Sequence, residues 1–359
     1  SFHQNYLTGM LLVAGITMFY TFFGGFMGAS YTDMVQGLLM LAALIAVPIV
    51  AITNMGGLDH VTDAVANVRP DALGLFAGTT FIGIASALAW GLGYFGQPHI
   101  IVRFMALRTP EDAKAGRRIG MSWMLLTVVG SISTAFVGVA YFATHPEVSL
   151  TDKESAETVF LDLAQILFHP FIAGMILAAV LAAIMSTLSS QLVVCSSALV
   201  EDLYGVFVKK KLSANQSLWL GRAGVAIVAV IATLMALDKN NSILSLVEFA
   251  WAGFGSAFGP IVILSLYWRK LTLPGAVSGM VVGAVVTFFW RQVFNLTETI
   301  DVYEMIPGFF LAFLVTVVVS LSTYQKNDKI EQEFEEAANL AKLTTAGLPA
   351  KEEEQAAKA

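Results

Sequence analysis

Nine apolar runs, each long enough to cross a bilayer, follow one another along the chain with polar segments between them. They cover approximately residues 8–26, 31–53, 73–98, 119–143, 170–199, 218–237, 243–268, 274–294 and 303–323. A helix needs about 20 apolar residues to traverse the hydrocarbon layer. That layer admits only backbones whose hydrogen bonds are satisfied internally. The chain therefore reads as an all-α membrane protein with about nine transmembrane helices and the lipid bilayer as its partner. Several runs exceed the length of one crossing, which predicts tilt or kinks. Composition agrees: of 359 residues 57% are hydrophobic and 13% charged, too polar-poor for a soluble chain of this size.

The cationic residues give the orientation. Alternating the nine spans places sixteen of the twenty Lys and Arg residues on one side, among them Arg103, Arg108, Lys114, Arg117, Arg118, Lys209, Lys210, Lys211 and Arg222. Only Arg69, Lys153, Lys239 and Arg291 fall on the other. By the positive-inside rule the C-terminus is cytoplasmic and residue 1 lies outside. The chain opens Ser1-Phe2-His3 without an initiator methionine or signal-peptide pattern. An outside start after an odd number of spans leads us to expect that N-terminal helices are missing. The segment after Tyr324 is rich in Glu, Lys and Ala; a surface helix is expected over 329–342, with the rest of the 324–359 tail partly disordered.

The sequence argues against enzymes and ATP-driven pumps, since it contains no phosphate loop, metal-ligand cluster or nucleophile–histidine–acid set, and it implies no cofactor. Nothing in it points to nucleic acid. The single cysteine, Cys195, excludes a disulfide framework and reads as a small buried hydrophobe. Asn240-Asn241-Ser242 and Asn295-Leu296-Thr297 match a glycosylation pattern too weak to carry weight.

The third apolar run is interrupted. Trp90-Gly91-Leu92-Gly93-Tyr94-Phe95-Gly96-Gln97-Pro98-His99 packs three glycines, a proline and polar side chains into ten residues. A broken backbone survives in a membrane where it is buried in protein or lines a wet cavity, and transporters hold substrate at such breaks. A kinked helix end carrying interfacial aromatics explains the pattern equally well. His99 reads as an interfacial hydrogen-bonder rather than a proton carrier.

In the fifth run, Ser186 and Ser190 are four apart, as are Ala183 and Thr187, so small and hydroxylated residues share a helix face. Hydroxyls and main-chain carbonyls are neutral oxygen donors suited to a weakly held monovalent cation. Helix packing through small residues is the plainer alternative. Few ionisable residues fall inside spans, and Asp33 and Glu248 are the two to weigh. Asp33, beyond a turn at Gly24-Gly25, either draws a cation or caps the second span with Thr32. Glu248 lies near the outer end of the seventh span, where solvation accounts for it.

These segments resemble the sodium:solute symporter family, and its proline branch in particular. The resemblance rests on Trp90 to His99, on Met185-Ser186-Thr187-Leu188-Ser189 continuing to Glu201-Asp202-Leu203-Tyr204, and on Ala250-Trp251-Ala252-Gly253-Phe254-Gly255. The Gly24-Gly25 turn and Lys270-Leu271-Thr272-Leu273-Pro274-Gly275-Ala276 add the wider family pattern, and only the acidic tail stands apart. The resemblance implies a leucine-transporter-type inverted-repeat fold. Spans one and two would end the first repeat and residues 73–268 form the second, within a core of 1–323. It also implies sodium-coupled uptake of L-proline. Proline would meet Trp90, Tyr94 and Pro98, and Na+ would be ligated by the backbone of Ala183 and the hydroxyls of Ser186 and Thr187. Asp33 would serve sodium coupling, and Ser190 is assigned no role. Symport of pantothenate, sialic acid or a sugar is the alternative within the class. A membrane ligand sensor is a further one, for which the tail is short. Helices preceding this chain would complete both sites.

Overall fold

The computed structural model describes residues 6–145, 156–203, 213–237 and 243–346. Tyr204, Lys209, Lys210, Lys211, the Asn240-Asn241-Ser242 motif and the end of the tail lie outside these residues. Those described are helical throughout, without strands.

In chain order the helices are α1 (Tyr6–Asn54), α2 (Leu58–Val68), α3 (Phe81–Ala89), α4 (Pro98–Met105), α5 (Pro110–Thr144) and α6 (Val159–Leu167). There follow α7 (Pro170–Ser197), α8 (Ala214–Met235), α9 (Ile243–Tyr267), α10 (Leu273–Phe288), α11 (Leu296–Ile300), α12 (Met305–Thr323) and α13 (Asp328–Ala346). A 3-10 turn, Trp90–Gly96, joins α3 to α4. Seven of the helices are long and apolar enough to span, and the shorter apolar Phe81–Gly96 adds to them.

The first two expected spans meet at Gly25, where two helices join across a kink. α1 counts 49 residues in all, enough for two crossings, and Gly25 (φ 53°, ψ −149°) adopts a conformation that glycine permits. The break is confined to that residue, and helix resumes at Phe26. The polar residues that read as a turn are satisfied within a helix: Ser30 donates to the Phe26 carbonyl at 2.8 Å, and Thr32 to those of Gly28 and Ala29 at 3.0 and 2.9 Å. Hydroxyls returned to the preceding turn let such residues stay helical. Asp33 consequently does not cap a helix.

The third span starts at Phe81 rather than 73. Gly78 adopts φ 71°, and the Thr80 hydroxyl accepts from the Gly83 amide at 3.0 Å as an N-cap. Between the spans lie the shorter helices α2 and α6, and the tail carries α13.

The chain divides into two compact units that interleave in sequence. One comprises Ser1–Ala77 and Ile119–Asn240, the other Gly78–Arg118 and Asn241–Ala359. In the first, α1 packs along α7 and α8. Val47, Tyr141, Leu163 and Ile176 form one core cluster, with Val61, Val65 and Val137 in another. In the second, α10 lies along α12. Gly275, Gly279 and Gly283 make a stripe whose missing side chains admit Ser320, Thr316 and the Ser256 backbone. Small-residue spacing of this kind lets membrane helices approach closely where no hydrophobic drive separates protein from lipid.

Candidate functional site

The helix break lies in the second unit and is saturated by α9. The Trp251 indole N–H donates to the Trp90 carbonyl at 2.9 Å, and the Gln97 amide nitrogen donates to the Trp251 carbonyl at 3.2 Å. A carbonyl released by the break thus finds a side-chain donor instead of water. Two glycines permit the approach: a Cβ on Gly93 would overlap the Trp251 indole, and one on Gly96 would meet the Phe254 carbonyl and Gly255. Gln97, extended at φ −84° and ψ 112°, is the joint at which the chain turns into α4, with Pro98 at its first helical position.

Trp90 stacks with Trp251 (centroids 5.7 Å apart, planes 18° apart) and with Tyr303 (6.0 Å, 12°). Tyr94 meets Trp251 edge-on at 4.9 Å and is 39% exposed. Of the three residues expected to meet a substrate, Trp90 and Tyr94 share one aromatic cluster through Trp251. Pro98 sits beyond Gln97, half-buried.

The expected cation ligands lie on α7, in the first unit. Ser186 donates to the Ala183 carbonyl at 2.9 Å and Thr187 to the same carbonyl at 3.2 Å. Three neutral oxygens therefore converge within one turn. A hydroxyl that donates to a carbonyl keeps lone pairs free to accept. One turn further on, Ser190 donates to the Ser186 carbonyl at 2.9 Å and to a carboxylate oxygen of Asp33 on α1 at 3.4 Å. Tyr20, also on α1, donates to the Met185 carbonyl at 2.8 Å. The hydroxyl face of α7 is thus turned partly toward Asp33.

A cavity of about 560 Å³ in the same unit, lined by Val13, Val180, Leu181, Ile184 and Leu192 among others, is too apolar to serve a cation. Among the described residues no group of three or more His, Cys, Asp or Glu side chains is placed to hold a metal.

Sequence reasoning gave no role to Trp251, Gln97, Tyr303 or Ser190. Gln97 and Ser190 stood within the two stretches already singled out, Trp251 left a sign as a tryptophan among the small residues of Ala250-Trp251-Ala252-Gly253, and Tyr303 left none. Glu248, taken as solvated, is partly exposed and also lies 3.8 Å from Arg291 in an ion pair.

The profile of the sodium:solute symporter family matches residues 1–283. A high-affinity proline transporter of Bacillus subtilis is 47% identical over 92% of this chain and 68% of its own length. An osmoregulated proline transporter of the same organism is 48% identical over 90% of this chain and 65% of its own. The sodium/proline symporter of Escherichia coli is 43% identical over 94% of this chain and 66% of its own. The chain thus spans about two thirds of the length of the curated relatives it matches. Among solved structures, a substrate-bound, outward-open Na+-coupled sialic acid symporter superposes with a TM-score of 0.71 at 17% identity. The match covers 91% of this chain and 69% of that one, and it shows the leucine-transporter-type fold.

Proposed function

Because the chain belongs to the sodium:solute symporter family, a family of membrane transporters and not of enzymes, we propose that the whole protein couples inward movement of Na+ to uptake of L-proline across a bacterial plasma membrane. The observation that carries this reading is the aromatic cluster at the helix break. L-Proline presents an apolar ring, a secondary ammonium and a carboxylate. Trp90 and Tyr94 offer apolar faces for the ring and π density for the cation. Gly91, against which nothing packs within 4 Å, leaves its backbone accessible for polar contact. Pro98 holds the break by disfavouring helical dihedrals at Gln97, which is extended (φ −84°, ψ 112°).

Na+ is assigned to the Ala183 carbonyl and the hydroxyls of Ser186 and Thr187, with remaining ligands from elsewhere in the protein. Asp33, bonded to Ser190 one turn from these oxygens, belongs to the ion's route. The Lys/Arg distribution puts the C-terminus in the cytoplasm and residue 1 outside. Coupling requires that each ligand tighten the binding of the other, a reciprocal free energy and not a direct contact.

The test is transport by full-length protein in proteoliposomes. Trp90→Leu and Tyr94→Leu are expected to raise the KM for proline, and Thr187→Ala to raise the sodium concentration needed for half-maximal uptake. Unchanged proline KM in both aromatic variants would overturn the substrate assignment; an unchanged sodium requirement in Thr187→Ala would overturn the ion assignment.

A further inference from the structure

Tyr303, just ahead of α12 and far in sequence from the break, is held from three directions. Its amide donates to the Ser86 hydroxyl on α3 at 3.1 Å, and that hydroxyl donates to the Asp301 carbonyl at 3.3 Å. Its phenol donates to the Glu248 carbonyl on α9 at 2.9 Å. The next residue, Glu304, has a side chain with no exposed area and pairs with Arg291 at 2.6 Å. Its second carboxylate oxygen accepts from Thr297 at 2.9 Å. Arg291 also donates to the Ser245 hydroxyl at 2.9 Å and to its carbonyl at 3.3 Å, and lies over the Phe249 ring at 5.9 Å. The loop bearing Tyr303 opens at Asp301 (φ 56°), which with Asn295 (φ 48°) flanks α11 in the left-handed conformation, a conformation both residue types tolerate.

A buried ion pair with every oxygen occupied costs desolvation and is weak evidence of stability for its own sake. Here it fixes the one loop whose aromatic ring lies against the helix break. The ring that Tyr303 presents to Trp90 is buried with Ala89, Ala252, Met305 and Phe309 in one cluster. Ser86, four residues before Trp90, ties the same loop to the helix leading into the break. Trp90 therefore has its orientation set by two rings on separate supports, Trp251 from α9 and Tyr303 from the α11–α12 loop.

We infer that Tyr303 is a positioning residue for the substrate site: its ring, clamped by Ser86, the Glu248 carbonyl and the Arg291–Glu304 pair, holds Trp90 in the orientation that receives substrate. The inference rests on the assignment of Trp90 to that site. The full-length protein, reconstituted and assayed at saturating sodium, supplies the test. Tyr303→Leu removes the stacked ring and is expected to raise the proline KM about five- to tenfold, the range set by loss of an aromatic pair. Maximal rate per molecule and sodium half-saturation at saturating proline should stay unchanged. Tyr303→Phe keeps the ring and should keep the KM within about threefold, losing only the phenol bond.

A structural defect alone would lower membrane abundance and maximal rate without raising KM, and that outcome would overturn the inference. Should Tyr303→Leu fail to accumulate, Tyr303→Met carries the same expectation with less loss of volume. An elevated KM in Trp90→Leu with an unchanged KM in Tyr303→Leu sinks the positioning role and leaves the substrate assignment standing. Unchanged KM in both removes the substrate assignment and the inference with it.

Discussion

The Ser190 hydroxyl donates to the Asp33 carboxylate at 3.4 Å, joining α7 to α1 one turn from the two hydroxyls that converge on the Ala183 carbonyl. The contact sets an ionised oxygen beside a run of neutral ones, so a cation meeting Ser186 and Thr187 has a counter-charge on the neighbouring helix. In low dielectric that charge reaches further than it does in water.

Asp33→Asn keeps the hydrogen bond to Ser190 and removes the charge. It is expected to raise the sodium concentration for half-maximal proline uptake by about tenfold or more, corresponding to at least ~1.4 kcal/mol. Ser190→Ala, which leaves the charge, should have a smaller effect. Initial-rate uptake against a sodium series measures both. Equal sodium dependence in wild type and Asp33→Asn would remove Asp33 from the ion's route.

Gly93→Ala should be far more damaging than Gly91→Ala. A Cβ at Gly93 runs into the Trp251 indole, whereas Gly91 faces open space. Overpacking of this kind costs roughly 1–3 kcal/mol, and here it also pushes apart the Trp251–Trp90 hydrogen bond. Thermal unfolding in detergent, followed by tryptophan fluorescence, is expected to show a lowered midpoint for Gly93→Ala alone. Equal midpoints would contradict the packing described for the break.

Glu304→Ala strands Arg291, which is 17% exposed at its side chain, with Glu248 as the remaining carboxylate at 3.8 Å. Breaking a buried pair by removing one partner costs about 3–5 kcal/mol, so this variant should be poorly stable. Replacing the exposed carboxylate of the Arg269–Glu335 bridge by Glu335→Gln should change stability by less than ~1 kcal/mol. The two midpoints, measured side by side, check the contrast; comparable losses would be inconsistent with it.

The Tyr324 phenol donates to the Glu331 carboxylate at 2.8 Å, and that bond pushes its pKa above the ordinary tyrosine value. The neutral phenol is the form favoured by folding. The contact is therefore intact below the usual tyrosine range and is lost as pH rises through the elevated folded value. The difference between alkaline absorbance titrations of wild type and Tyr324→Phe should show one tyrosine ionising late. A difference curve in the usual range would show that the contact does not persist in solution.

Substrate choice is open to direct competition. Uptake of labelled proline should be reduced by excess L-proline and left nearly unchanged by sialic acid, pantothenate or glucose. The fold shared with a sialic acid symporter at 17% identity does not carry that protein's substrate over. Inhibition by sialic acid comparable to that by proline would reassign the site.

The all-helical membrane class, the spans and the break at Trp90–Gly96 were legible in the amino-acid order, because hydrocarbon punishes unsatisfied backbone so severely that each crossing must declare itself locally. The convergence of Ser186 and Thr187 on Ala183 was equally local, a consequence of three- and four-residue spacing on one helix. Where local signals competed, they misled. The break at Gly24-Gly25 is where the sequence put it, but Ser30, Thr32 and Asp33 do not belong to it: hydroxyls folded back onto the preceding carbonyls keep the chain helical directly after Gly25. Only the tertiary structure decided what fills the space around the break. Trp251 and Tyr303 come from segments that no spacing rule links to Trp90, and the Arg291–Glu304 pair joins two helix ends across a loop. Such contacts arise when distant helices pack, and their partners are chosen by shape and by the need to satisfy each buried polar group, neither of which is written in any one stretch of the chain.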